Sequence, residues 1–362
     1  MRKFILLSVL LITISSYAQV FKTVNLTTAG TLSTFFNDYE KTTVTNLTLT
    51  GNIDASDFQF MRSNLSLVDL NISGTTIMAY TGIHGTDQRN LYSIVSYRAN
   101  EIPYRIAGSF QTITLPKNIT SIGDYAFEES QIKTISIPNT VLSIGYGAFF
   151  QSGLSGVFTV PNTVRTINDS AFKSCFGLTS VIFENSNPLT YNTTIGANAF
   201  SQCNNLKILY LSNSVISIGD NAFYGCISLQ TIYSFNPTPP TLESNTFGSG
   251  TVKDVFVTSN IAVNNYKTWY LVSWSTFFPG NIIKVNPISD SPSIQNYHIN
   301  VYSNQLSIVI EGTSVGEIVK IYLLSGICLQ TIKSQGQRLD IQENRKAVYL
   351  VEISNKIFKI VI

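Results

Sequence analysis

One heptapeptide is written five times along the chain: SIGDYAF at Ser121–Phe127, SIGYGAF at Ser143–Phe149, TINDSAF at Thr166–Phe172, TIGANAF at Thr194–Phe200 and SIGDNAF at Ser217–Phe223. A looser sixth copy, LESNTF, closes at Phe247, and successive closing phenylalanines are 22, 23, 28, 23 and 24 residues apart. A period in that range marks a solenoid. Each short unit is one coil that cannot bury its own apolar face and is stable only when stacked on its neighbours. The 28-residue interval carries an insertion, Glu184–Asn192, which has to leave the stack as a loop on one face.

The positions of the unit have separate physical reasons. Ile122, Ile144, Ile167, Ile195 and Ile218, with the Ala-Phe pair that follows each, recur because they point inward against the next coil. The residue after that Ile is Gly123, Gly145, Asn168, Gly196 or Gly219. Gly and Asn are the residues most tolerant of positive φ, so the pattern predicts a left-handed turn at this point of every coil. LPKNI, IPNTV, VPNTV and LSNSV precede the heptapeptides, and Pro there ends a short strand. The strand itself is read in QIKTISI, GLTSVIF, NLKILYL and SLQTIYS, where apolar and polar residues alternate. One strand per coil, all running the same way, gives a parallel sheet along the solenoid.

The 362-residue chain has room for two or three domains and, at 44% hydrophobic residues, enough material for a core. Charged residues are only 12%, about half the usual share. Residues 1–18 read as a secretory leader: Arg2 and Lys3, an apolar run Phe4–Ile14 too short to span a bilayer, then Ser16-Tyr17-Ala18 as a cleavage site before Gln19. Without the leader, 21 basic residues face 21 acidic ones. A neutral chain with no Lys/Arg run lacks the electrostatic footprint of a nucleic-acid binder, and no later stretch is long and apolar enough for a transmembrane segment.

The IP-x-TV-x-SIG-xx-AF-xx-C unit resembles the BspA-like leucine-rich repeat of surface proteins from the Bacteroidetes, over residues 101–247. The resemblance implies a β-rich leucine-rich-repeat solenoid, with an amino-terminal capping segment over 19–100 and a carboxy-terminal cap over 248–287. In that cap, Tyr266, Trp269, Trp274, Phe277 and Phe278 would cover the open end of the apolar stack. IPYRIAGSFQTITLP, from Ile102, departs from the Ala-Phe spacing, so the first coil is expected to be shortened or distorted. Residues 288–362 change character to short strands broken by Gly and Asn, as in a small antiparallel β-sandwich. VKIYLLSGICL, VYLVEI and the terminal pair Lys356 and Lys359 are similar to the sorting domain of the type nine secretion pathway. That resemblance implies an outer-surface or secreted destination, with the secretion machinery as a partner; a plain accessory β-domain is the alternative.

Catalytic constellations are scarce. His84 and His298 fall in different expected domains, and the sequence has no nucleophile elbow, phosphate-cradling Gly loop or metal-spaced His/Cys/Asp cluster. Asp124, Asp169 and Asp220 share a position filled by Tyr146 and Ala197 in sister coils, and so read as turn residues. No enzyme activity, cofactor or metal is expected. Cys175, Cys203 and Cys226 each follow a repeat Phe by three residues, where earlier coils carry Ser130 and Ser152. The position reads as small and semi-buried, a disulfide being the alternative an exported protein allows. Asp169-Ser170-Ala171 is similar to the O-glycosylation acceptor of this bacterial group, or simply spells this coil's copy of the repeat.

What remains for function is surface. At the outward strand position the coils present Ser136, then Ile182, Tyr210 and Tyr233. Apolar and aromatic side chains in register either mark a contact site or shield an adjacent coil. The resemblance implies an adhesin-like binding protein with host matrix or other surface proteins as ligands. A glycan-binding surface protein and a structural envelope component are the other classes.

Overall fold

The computed structural model describes residues 19–83, 85–86, 94–184, 192–236, 238–248, 252–257 and 274, and the backbone of the strands between 283 and 361. The leader, both histidines, most of the insertion after Glu184, and Tyr266, Trp269, Phe277 and Phe278 lie outside the described residues.

The chain winds as a parallel-strand solenoid. Phe21–Leu26, Asn46–Ile53, Asp69–Ile77 and Thr112–Thr114 form one parallel sheet in that order. The helices Asp38–Thr43 and Ala55–Asn64 carry the chain back between its first strands, each opened by a capping box, at Asn37 and Asp54. Buried Asp57 of the second box also accepts from Gly30 N (2.7 Å) and Leu32 N (2.9 Å), tying the first coil to the second. A second parallel sheet stacks Ser155–Val160, Gly177–Phe183, Ile208–Leu211, Thr231–Ser234, Asp254–Val257 and Ile283–Val285.

Between the two sheets, the strand expected at QIKTISI does not form. Ile135 and Ile137 are buried as the alternation requires, and Ile132, out of phase with them, is buried as well. The backbone ladder is limited to the Lys133 end, where Lys133 N donates to Gln111 O at 3.4 Å and Ser155 N to Lys133 O at 3.0 Å.

Each repeat coil adds a second, shorter strand at its Ser/Thr-Ile step. Glu101–Ile102, Ser121–Ile122, Ser143–Ile144, Thr166–Ile167, Thr193–Ile195, Val215–Ile218 and Thr241–Leu242 stack into a parallel sheet of seven. The Ala-Phe turn then closes the coil with main-chain bonds to the next one. Phe127, Phe149 and Phe172 donate N–H to Ala148, Ala171 and Ala199 carbonyls, each at 2.7 Å.

The left-handed backbone lies elsewhere than the glycines predict. Gly123, Gly145, Asn168, Gly196 and Gly219 do not have positive φ; within the heptapeptides the residues that do are Tyr125, Gly147, Ser170, Asn198 and Asn221, two places downstream, and each coil has a second left-handed residue at Glu129, Gln151, Ser174, Gln202 or Gly225. Their N–H groups point along the stack, as in Ser170 N to Ala197 O (2.9 Å) and Asn198 N to Asp220 O (2.8 Å). Gly at the earlier place lets the coils approach closely, and Asn168 is the one member of the five that carries a side chain there. A Cβ on Gly145 would lie 2.6 Å from Asp124 N, and one on Gly196 2.7 Å from Asp169 N. In the distorted first coil Arg105 takes the left-handed place, and Ile106 with Ala107 replaces the Ala-Phe pair by donating to Ala126 O.

The core is a column of rings. Phe127, Phe149, Phe172, Phe200, Phe223 and Phe247 stack at centroid separations of 5.1, 4.9, 4.9, 5.3 and 5.5 Å with nearly parallel planes. Trp274 ends the column: its ring lies 5.6 Å from Phe247 and its indole N–H donates to Pro240 O at 3.1 Å.

One inserted element breaks the outline. Tyr80–Gly82 and Val95–Tyr97 pair as an antiparallel hairpin between the third and fourth strands of the first sheet. Beyond the solenoid, two antiparallel sheets form: Asn300–Asn304, Ser307–Glu311 and Arg338–Gln342, and Cys328–Lys333, Ile318–Leu323, Val348–Ile353 and Lys356–Val361. Val319 and Ile321 are buried there, in keeping with the sandwich expected from the sequence. Among the described residues no helix is long and apolar enough to cross a membrane.

Candidate functional site

The six-stranded sheet has an inner face of Phe158, Val181, Leu209, Ile232 and Val255, all buried. Because side chains alternate across a strand, the next residue along faces outward. The register puts Thr159, Ile182, Tyr210, Tyr233 and Phe256 directly beside one another on that outer face. The three candidate residues therefore form one continuous column. Phe256 extends it, and was missed because the strand VKDVFV lies past the last clear repeat; its Asp-Val-Phe-Val alternation was the available signal.

The column is a stack of flat rings. Tyr210 and Tyr233 lie 4.8 Å apart at an interplanar angle of 7°, and Tyr233 and Phe256 5.1 Å apart at 18°. All four large members, from Ile182 to Phe256, are half-buried. Stacking has a chemical consequence. Both faces of Tyr233 are covered by its neighbours, so the column presents ring edges, the positive rim of the quadrupole, and two phenol hydroxyls. Such a ridge can pack into a protein groove. It leaves Tyr233 no free ring face on which a pyranose could lie.

The other residues singled out from the sequence sit within the coils. Asp124 Oδ1 accepts from Tyr146 N at 2.7 Å, and Asp169 Oδ1 from Ala197 N at 2.8 Å, so each carboxylate bridges to the following coil. Ser170 is half-buried in the left-handed position of its coil. Cys175, Cys203 and Cys226 are buried and unbridged, each donating S–H to the repeat Phe carbonyl of the preceding coil, Phe149, Phe172 and Phe200, at 3.0, 3.2 and 3.2 Å. Burial pushes the Cys175 thiol up to about 12, and Cys203 is likewise raised by burial. The Cys175 and Cys203 thiols are thereby held protonated and inert. Among the described residues no three His, Cys, Asp or Glu side chains converge on a metal-sized site.

No curated protein matches the chain. It is similar to a leucine-rich repeat protein of T. pallidum, 27% identical over 43% of this chain and 68% of that one, with a TM-score of 0.30. It is also similar to a leucine-rich repeat protein from Bacteroides ovatus, 18% identical over 61% of this chain and 62% of that one, with a TM-score of 0.38. A leucine rich cell surface protein from Faecalibacterium prausnitzii is 19% identical over 59% of this chain and 67% of its own length, with a TM-score of 0.29. The family model of the BspA type leucine rich repeat region matches in six copies across residues 104–192 and 193–306. With more than half its length matched and the phenylalanine of each copy stacked in the core, the chain belongs to the BspA type leucine-rich-repeat family.

Proposed function

We propose that the protein is a secreted, cell-surface binding protein, adhesin-like and without catalytic activity, whose ligand is another protein such as a host matrix component. The observation that carries this reading is the outward column Ile182–Tyr210–Tyr233–Phe256, four large side chains in register and half-buried along the outer face of the six-stranded sheet. Aromatic anchors of this kind can each contribute more than 1 kcal/mol when a partner desolvates them. The covered ring faces favour a protein groove over a glycan at this column.

Export through the leader at residues 1–18 and sorting through residues 288–362 belong to the same proposal, as do a capping role for 19–100 and for 248–287. Deleting Ser291–Ile362 is expected to leave the coils folded and the truncated chain in the periplasm; unchanged surface labelling would remove the sorting role. For the ligand, the intact chain is applied to a panel of immobilised matrix proteins. Saturable capture by at least one, weakened several-fold by Tyr233→Ser, is expected. Capture by none, or equal capture by the variant, would overturn the protein-ligand reading.

A further inference from the structure

The hairpin Tyr80–Gly82/Val95–Tyr97 stands beside the first steps of the seven-stranded sheet and walls a cleft of about 550 Å³. The wall is firm: Thr81 and Ser96 hydroxyls bond across the hairpin at 3.0 Å, and Tyr97 OH accepts from Thr86 Oγ1 at 3.1 Å. The floor is made by the repeat itself. Gly123 and Gly145 bring the backbone of adjacent coils too close for a Cβ, so no side chain rises there. Glu101, Ser121 and Ser143 stand in register along one edge, and Asp124, Asn168 and Arg98 complete the polar lining.

The chemistry of that lining narrows the ligand. A volume of this order is that of a small-molecule site. Two carboxylates repel an anion. They are also a poor cation cage: Glu101 accepts the Arg98 backbone N–H and faces the Arg98 charge, and Asp124 accepts Tyr146 N at 2.7 Å. An apolar ligand would strand the hydroxyls, the amide and the guanidinium without water. A compact neutral polyol suits the set. Carboxylate oxygens with remaining lone pairs accept from its hydroxyls, while Arg98 and Asn168 donate and Ser121 and Ser143 do both. Burial also pushes Glu101 above its ordinary value, with Arg98 opposing the rise and Asp124 adding to it.

We propose that this cleft is a binding site for a neutral mono- to trisaccharide, held by Glu101, Asp124, Asn168 and Arg98 over the glycine floor. It is separate from the aromatic column and does not depend on the column having a partner.

The test applies the full chain to an array of neutral mono- to trisaccharides and then titrates the best hit by calorimetry. Ser143→Phe would fill the cleft from an outward position, and Ser217→Phe places the same ring in the same column three coils away, outside the cleft. Retention of at least one neutral sugar is expected. Binding should weaken tenfold or more in Ser143→Phe and in Glu101→Ala, and stay within twofold in Ser217→Phe, with all melting points near that of the parent. If Ser143→Phe unfolds, Glu101→Ala alone decides. No sugar retained, or binding unchanged in the folded cleft variants, would overturn the proposal, as would equal loss in Ser217→Phe.

Discussion

Two ladders of aromatic rings run along this solenoid. Phe149, Phe172 and Phe200 stack at 4.9 Å inside it, and Tyr210, Tyr233 and Phe256 stack at 4.8 and 5.1 Å on its outer sheet face. The spacing is the same because both inherit the separation of adjacent parallel strands, about 4.8 Å. Their surroundings differ. The inner rings are wholly excluded from water and the outer ones are half-buried. Geometry is therefore supplied by the repeat wherever it places a ring, and the role of the ring is decided by what covers it. An inner ring is already fully desolvated, whereas an outer ring still has apolar edge to give to a partner.

The largest expected effect breaks the inner ladder. Phe172→Ala should cost about 3–5 kcal/mol, because the stack on either side cannot collapse into the cavity. Chemical denaturation of the two chains measures it. Next comes the spacing that both ladders share. A Cβ on Gly196 would meet Asp169 Oδ1 at 2.5 Å and Asn168 C at 2.9 Å. Gly196→Ala should therefore force two coils apart at about 1–3 kcal/mol, read as a lowered melting point. The turn beside the inner ladder is a smaller lever. Ser170 sits at φ 58°, so Ser170→Gly should be neutral or stabilising, while Ser170→Val should cost about 1–2 kcal/mol. The outer ladder should be least sensitive. Tyr233→Ser should cost about 0.5–1.5 kcal/mol, the worth of its ring contacts. A separate readout follows from burial: Cys175, Cys203 and Cys226 should resist iodoacetamide at pH 8 in the native chain and react once it is unfolded, as peptide mass spectrometry would show.

Much of this was legible in the repeat. Position-specific constancy of Ile and Phe reports stacking directly, since every coil repeats the same inward contact. The glycine place was legible but its cause was not: a residue lacking a Cβ can answer either a φ demand or a close approach, and only the neighbouring coil distinguishes them. The true left-handed place was hidden because Tyr125 occupies it alongside Gly147, Ser170 and Asn198. The missing strand at Gln131–Ile137 shows that alternation fixes burial without guaranteeing a ladder. Of the outward column, Ile182, Tyr210 and Tyr233 could be found by counting from each Phe. Their stacking, and the walls of the hairpin cleft, depend on neighbours distant in sequence.

The contrast between the ladders is tested most directly by a chain carrying Ile182→Ser, Tyr210→Ser, Tyr233→Ser and Phe256→Ser, compared with Phe172→Ala for both melting point and capture of the protein ligand found on the panel. The outer-ladder chain should melt above Phe172→Ala and capture its ligand at least tenfold more weakly than the parent, about 1.4 kcal/mol. Undiminished capture by the folded outer-ladder chain, or a melting point below that of Phe172→Ala, would contradict the assignment of the outer rings to binding and return them to the core.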